Sequence, residues 1–308
     1  MDNFYGVARL RALETYLLSA DQINRLAQAA DFEAAFSVLS ETKYAEHLHN
    51  IKQAFGYEEL YDLERSSLKN LLNTLAPGNE IINALYLQYD YLNAKLFLKN
   101  EAPEKISSLG NFDPEKIRKY AREGIKDLAD HNLVAAIGQA KSNHEIDLTL
   151  DQYYYQFIKK LFSKSPSPLI RLYAQAKTDL TNLKTILRCQ LIGKKPESFL
   201  LEPALIDHEL LESIIAKKPA EIINRLYHLP YFPFISAGLE DFAKLEKNLD
   251  DYILASFKKA KYMCSGLEPI IAYYLAKENE INTLRFILIC KRNFVASDKI
   301  KERVRLIY

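Results

Sequence analysis

In the stretch Tyr89–Asn100, "YDYLNAKLFLKN", the apolar residues Tyr91, Ala94, Phe97 and Leu98 recur at spacings of three and four. At 100° per residue they form one stripe along a helix. Asp90 and Asn93 lie along one edge of that stripe and Lys95 along the other. The pattern returns in "DLTNLKTILRC", where Leu180, Leu183, Ile186 and Leu187 are flanked by Asp179, Asn182 and Lys184. A third, softer copy, "KENEINTLRFILIC", sets Ile281, Leu284, Ile287 and Leu288 beside Glu280, Thr283 and Arg285. Cys189 and Cys290 occupy the same place relative to the acid in the second and third copies.

Other helix signals punctuate the chain. Ser19 and Gln22 have capping-box spacing, and Asp31 precedes an apolar-periodic run. Asp113 stands before Pro114, the favoured order of N-cap and first helical residue. The prolines in "SKSPSPLI", Ser163–Ile170, predict a break, as do Pro230 and Pro233. No strand-like alternation persists, and glycine, which hairpins and nucleotide-binding loops consume, numbers only 9 in 308 residues. The expected fold class is all-α. Further blocks recur in order: Leu150, Asp151, Tyr153 with Leu249, Asp250, Tyr252, and Leu39, Tyr44, Leu48 with Leu226, Tyr231, Ile235. Acid-marked helix starts near Asp21, Asp113 and Asp207 suggest three homologous bundles over 1–111, 112–205 and 206–308. The period is too long for a helical-hairpin solenoid. The polar triplets read as fixtures that hold helix seams in register, or as direct ligand contacts.

Composition narrows the function. With 41 basic and 40 acidic residues the net charge is +1, which argues against general nucleic-acid binding. No apolar run approaches the ~18 residues of a membrane span. Arg9, Arg11 and Glu14 interrupt the place where a secretion signal would need an apolar core, so a cytosolic location is expected. Three scattered cysteines contain no CxxC and suit a reducing compartment.

Catalytic signatures are missing. The sequence has no phosphate-binding loop, no GxGxxG and no GxSxG. "LDDYIL" lacks the third acid of an aspartate-rich magnesium motif, since Leu254 stands there. His47, His49, His131, His144, His208 and His228 have no metal-ligand spacing and read as surface residues. No cofactor or metal is expected. Tyr231, Phe232 and Phe234, in the Pro-broken "LPYFPFI", read as core or as a docking surface. Arg9 and Arg11 read as a partial fourth copy of the motif at an interface, or as plain surface arginines.

Across nearly its whole length the chain resembles the C subunit of the V/A-type rotary ATPases, whose eukaryotic V-ATPase counterpart is called the d subunit. The resemblance rests on "YGVARLRALETYLLS", the two DxxNxK helices, "LIRLYAQAKTDLTNLKTILR" and the closing "EPIIAYYLAKENEINTLRFILICKR", in that order. Departures are mild: Tyr91–Leu92 replaces a pair that often ends in His, and Thr283 replaces Asn. The resemblance implies three helical bundles forming a funnel about a pseudo-threefold axis. It implies a non-catalytic central-rotor subunit, peripheral on the cytoplasmic face of the membrane. Its partners would be the central-shaft subunits and the proteolipid ring, which it would couple for ATP-linked ion transport. The alternatives are a helical adaptor with other partners, or a helical enzyme whose site is assembled from residues distant in sequence.

Overall fold

The structure, a computed structural model, describes residues 4–48, 57–100, 105–125, 128, 130–140, 143–236, 238 and 241–305. Every regular element among them is helical. The helices are α1 (Phe4–Glu14), α2 (Ala20–Gln28), α3 (Phe32–Val38), α4 (Ala45–Leu48), α5 (Tyr57–Leu75) and α6 (Glu80–Leu98). They continue with α7 (Pro114–Glu123), α8 (His131–Gln139), α9 (Asn143–Ser163), α10 (Pro168–Leu191), α11 (His208–Ile215) and α12 (Pro219–Arg225). The last four are α13 (Phe232–Ile235), α14 (Phe242–Ser256), α15 (Glu268–Arg292) and α16 (Ser297–Lys301).

Local chemistry starts and stops these helices. Ser19 and Gln22 close a reciprocal capping box on α2, and Asp31 accepts from the Ala34 amide to cap α3. Asp113 caps α7 ahead of Pro114, and Gly124 ends that helix at φ +70°, a conformation that costs glycine nothing. Ser167 caps α10 before Pro168, which makes the break after α9 sharp. Asp207 caps α11. One expectation needs correction: Asp21 lies within the first turn of α2, and Ser19 is the cap. With Ser19 as the marker, the caps Ser19, Asp113 and Asp207 fall at equal intervals of 94 residues. Pro233 also differs from expectation. It sits in the first turn of α13, where its missing N–H costs no helical bond.

Contacts divide the chain into two compact units, Met1–Pro77 with Pro230–Tyr308, and Gly78–Leu229. In the first, the α15 stripe Ile281, Leu284, Ile287 and Leu288 is buried against Leu18, Ile23, Leu26, Phe32 and Leu39 of the α2–α3 region. In the second, Tyr91, Ala94 and Phe97 of α6 pack on Ile117, Leu133, Ala136 and Leu150 of α7, α8 and α9. Burying one such Leu or Ile side chain contributes about 1.5–3 kcal/mol as an upper estimate. The stripe of α6 is therefore spent on the helices that follow it, α7, α8 and α9, and that of α15 on the much earlier α2 and α3. The packed groups are offset from the sequence period, because a helix stripe is satisfied by whichever apolar face lies against it.

Candidate functional site

The three motif acids are fully buried or nearly so: Asp90 and Asp179 at 0% exposure and Glu280 at 1%. A buried carboxylate needs several donors to offset lost hydration. Each acid finds them on the main chain just before a helix cap. Asp90 of α6 accepts from the Asn111 amide at 2.8 Å and the Phe112 amide at 3.1 Å, ahead of the Asp113 cap. Asp179 of α10 accepts from Ala204, Leu205 and Ile206 at 2.9, 2.6 and 3.0 Å, ahead of the Asp207 cap. Glu280 of α15 accepts from the Leu18 amide, ahead of the Ser19 cap, and from the Tyr44 hydroxyl at 2.8 Å. The three acids thus make one equivalent contact, to the amide of the residue preceding the cap.

The second motif position adds a clamp. The side-chain amide of Asn93 donates to the Ser107 carbonyl at 2.8 Å and accepts from its N–H at 2.9 Å. Asn182 does the same to Leu201, at 2.9 and 2.7 Å. A threonine is too short for this two-way bond, and the buried Thr283 hydroxyl has no hydrogen-bond partner among the described residues. The basic position is more superficial. Lys95 pairs with Asp151 at 2.6 Å, Arg285 pairs with Glu58 at 3.1 Å, and Lys184 is half-buried. Exposed pairs of this kind contribute at most about 1 kcal/mol.

The third copy carries an addition that sequence reasoning missed. Lys277, one turn before Glu280, is buried with its ammonium 2.7 Å from Glu280 and 2.9 Å from Glu64 of α5. It also lies 4.3 Å from the centre of the Tyr44 ring. His47 stands 3.4 Å from Glu64 at the edge of this cluster. A signal was present: Glu64 and Lys277 both interrupt apolar helix faces, four residues after Leu60 and three after Tyr274. The expectation that the histidines are superficial holds for His131, His208 and His228 and fails for the half-buried His47. For His49 and the side chain of His144 it lies outside the described residues.

The candidate interface residues divide. Arg9 is exposed. Arg11 is not a free surface arginine: it pairs with Glu14 and donates to the carbonyls of Ala260 at 2.7 Å and Met263 at 3.1 Å. Tyr231 is fully buried, edge-on to Tyr252, so its place in a docking surface is corrected to core packing. Phe234 packs on the same Tyr252 ring, and Phe232 is half-buried. Among the described residues no cluster of three or more His, Cys, Asp or Glu is arranged to hold a metal ion.

Two predictions arise from this geometry. A Cβ built on Gly110 would collide with the Asp90 carboxylate. Gly110→Ala is expected to cost about 1–3 kcal/mol, since Asp90 is held by two amides and cannot retreat freely; urea denaturation against wild type measures this. Cys189 and Cys290 are buried thiols on the matching helices α10 and α15, whereas Cys264 is exposed. Burial also pushes the Cys290 thiol above its ordinary range. A thiol reagent should therefore modify one cysteine rapidly in the native protein and all three only after unfolding.

The family described as ATP synthase (C/AC39) subunit matches residues 6–303. Similar proteins include the C subunit of the A-type ATP synthase of Methanocaldococcus jannaschii, 22% identical over 92% of this chain and 81% of that protein. The C subunit of the V-type sodium ATPase of Enterococcus hirae is 24% identical over 97% of both chains. The C subunit of the A-type ATP synthase of Methanosarcina acetivorans is 26% identical over 98% of this chain and 92% of that protein. The chain with its three acid-anchored caps belongs to the ATP synthase (C/AC39) subunit family.

Proposed function

We propose that the chain is a non-catalytic central-rotor subunit, a socket that joins the central shaft to the membrane proteolipid ring of a rotary ATPase. In this reading the repeats 1–111, 112–205 and 206–308 are three similar bundles about a pseudo-threefold axis, and the complex holds the chain on the cytoplasmic face of the membrane. One observation supports the reading most. Glu280, near the end of the chain, grips the Leu18 amide 262 residues earlier, in the same way that Asp90 and Asp179 grip the caps that follow them. The third copy of the motif thus holds the first cap, as the first copy holds the second cap and the second copy the third. Charged and two-way hydrogen bonds at these seams resist sliding, which a purely apolar seam would tolerate. A part that transmits torque is loaded sideways at every step and benefits from that resistance. No helix of the described residues is long and apolar enough to cross a membrane, so attachment to the ring would be through surface contacts.

The test compares membranes depleted of this chain with membranes to which it has been returned. ATP hydrolysis by the detached catalytic sector is expected in both, because that sector cycles through its own binding changes. Ion pumping is expected to vanish on depletion and return on addition. Pumping without the chain, or a detached sector that hydrolyses ATP only when the chain is present, would remove the socket reading and leave the adaptor and enzyme alternatives.

A further inference from the structure

The C-terminal ends of α10 and α15 share a feature that the seams do not use. Fourteen residues after their acids, both helices are terminated by a left-handed residue: Gly193 at φ +68° and Phe294 at φ +56°. Glycine is the expected occupant of such a position; a bulky aromatic side chain is strained there. Phe294 is nevertheless 90% exposed, so its ring makes no packing contact that would explain its presence. At the α10 end, Leu191 and Ile192 are 74% and 60% exposed. Two aliphatic side chains and one phenyl ring thus face water, and the ring is held there at a cost in backbone strain.

The surroundings of the α10 end are cationic. Lys194 and Lys195 follow directly and are exposed. The Gln190 side-chain amide donates to the carbonyls of Ile215 at 3.1 Å and Lys217 at 2.8 Å. This tether holds the backbone that carries a second lysine pair, Lys217 and Lys218, against Gln190, the residue before the exposed aliphatics. Lys217 is paired with Glu221 at 3.3 Å, and Lys218 is exposed. At the α15 end, exposed Arg292 precedes the Phe294 turn, and the α16 segment just beyond it carries exposed Lys299 and Lys301 together with exposed Asp298 and Glu302.

We propose that each of these two helix ends, taken by itself, is a contact point for an anionic phospholipid surface, with Leu191 and Ile192 at one and Phe294 at the other entering the headgroup boundary and the neighbouring lysines drawn to the lipid phosphates. The size of the features favours lipid over a protein face. A stable protein interface needs about 800 Å² of contiguous surface on each partner. One or two exposed apolar side chains at each helix end, with exposed lysines nearby in the chain, fall far short of that. They are, however, the units from which interfacial membrane binding is assembled, since insertion and cation attraction add. The proposal goes beyond the socket reading and does not depend on it, and its decisive measurement contains no other subunit.

The full chain is floated with vesicles of phosphatidylcholine alone and of phosphatidylcholine containing phosphatidylglycerol. Binding to the anionic vesicles is expected to be about tenfold or more stronger at low salt, and to weaken as salt screens the lysines. The combined variant Leu191→Ser, Ile192→Ser and Phe294→Ser should reduce anionic-vesicle binding about tenfold, and the variants of either end alone by a smaller factor. Lys194→Gln with Lys195→Gln should remove most of the preference for anionic vesicles. All these side chains are exposed, so melting temperatures should match wild type. Equal, weak binding of the native chain to both vesicle types would overturn the proposal, as would a combined serine variant that binds like wild type. Variants that lose binding to a purified proteolipid ring while vesicle binding is unchanged would also overturn it, by making the tips protein contacts. Loss of the lipid interaction would leave the pumping comparison above intact, and failure of pumping to depend on the chain would leave the vesicle result intact.

Discussion

Replacing Lys277 with methionine is expected to cost about 3–5 kcal/mol of stability. The methionine keeps most of the volume, so the loss is electrostatic. Lys277 stands between Glu64 and Glu280, at 7% and 0% side-chain exposure, and without its ammonium two buried carboxylates face each other with no cation between them. Glu280 would retain the Leu18 amide and the Tyr44 hydroxyl. Glu64 would be left with His47 at 3.4 Å. The contrast is Arg285→Ala, which removes a pair at 49% and 51% exposure and should change stability by less than about 1 kcal/mol. Equilibrium urea denaturation of both variants decides the matter; similar small losses would show that the Lys277 cluster is no stronger than a surface pair. The pH dependence has a definite sign. Burial alone would lower the Lys277 ammonium, but attraction to Glu280 and Glu64 outweighs it and holds the group above its ordinary value. Its stabilisation is therefore complete below the unfolded value of about 10.4 and is lost only as pH rises through the folded value. Between about pH 6 and 9 this contribution should be constant.

Asp179→Ala is expected to cost about 3 kcal/mol or more. The carboxylate receives three main-chain amides, and each buried donor left without an acceptor costs about 1–3 kcal/mol, reduced where water can enter the space vacated. Asp179→Asn should fall between wild type and alanine, since one oxygen remains to accept while the new NH₂ faces an amide donor. Burial raises the Asp179 carboxyl above its usual range, opposed by the amides of Ala204, Ile206 and Leu205 and by Lys159. A carboxyl raised in the folded state holds its proton more tightly than the unfolded chain does. Its contribution is thus greatest below the unfolded value of about 3.9 and declines as pH rises through the folded value. The stability gap between wild type and alanine should consequently widen as pH is lowered through that window, measured by urea midpoints at about pH 4 and 7. A near-zero loss at neutral pH combined with impaired assembly of the ATPase complex would make Asp179 a partner contact instead of a seam fixture.

Much of the architecture was legible along the chain because its causes act within about four residues. Caps at Ser19, Asp31, Asp113 and Asp207, the break between α9 and α10, and the apolar stripes of α6, α10 and α15 are local, and each leaves a mark in residue type and spacing. The recurrence of the triplets was equally visible. Their partners were not. Asp90, Asp179 and Glu280 bind backbone amides, which nearly every residue carries, so nothing in residues 18, 112 or 206 advertises the contact. The same holds for Arg11, whose acceptors are the carbonyls of residues 260 and 263. Tyr231 could read as core or surface because an aromatic beside proline suits either, and only the Tyr252 ring against it decides. Lys277 and Glu64, 213 residues apart, become a buried pair only when α5 and α15 pack together. The sequence by itself determined where helices begin, end and show an apolar face, since hydrogen-bond geometry and periodicity are short-range. The tertiary structure alone decided which carboxylate meets which amide and which charges are shut away from water, because those depend on surfaces that distant parts of the chain bring together.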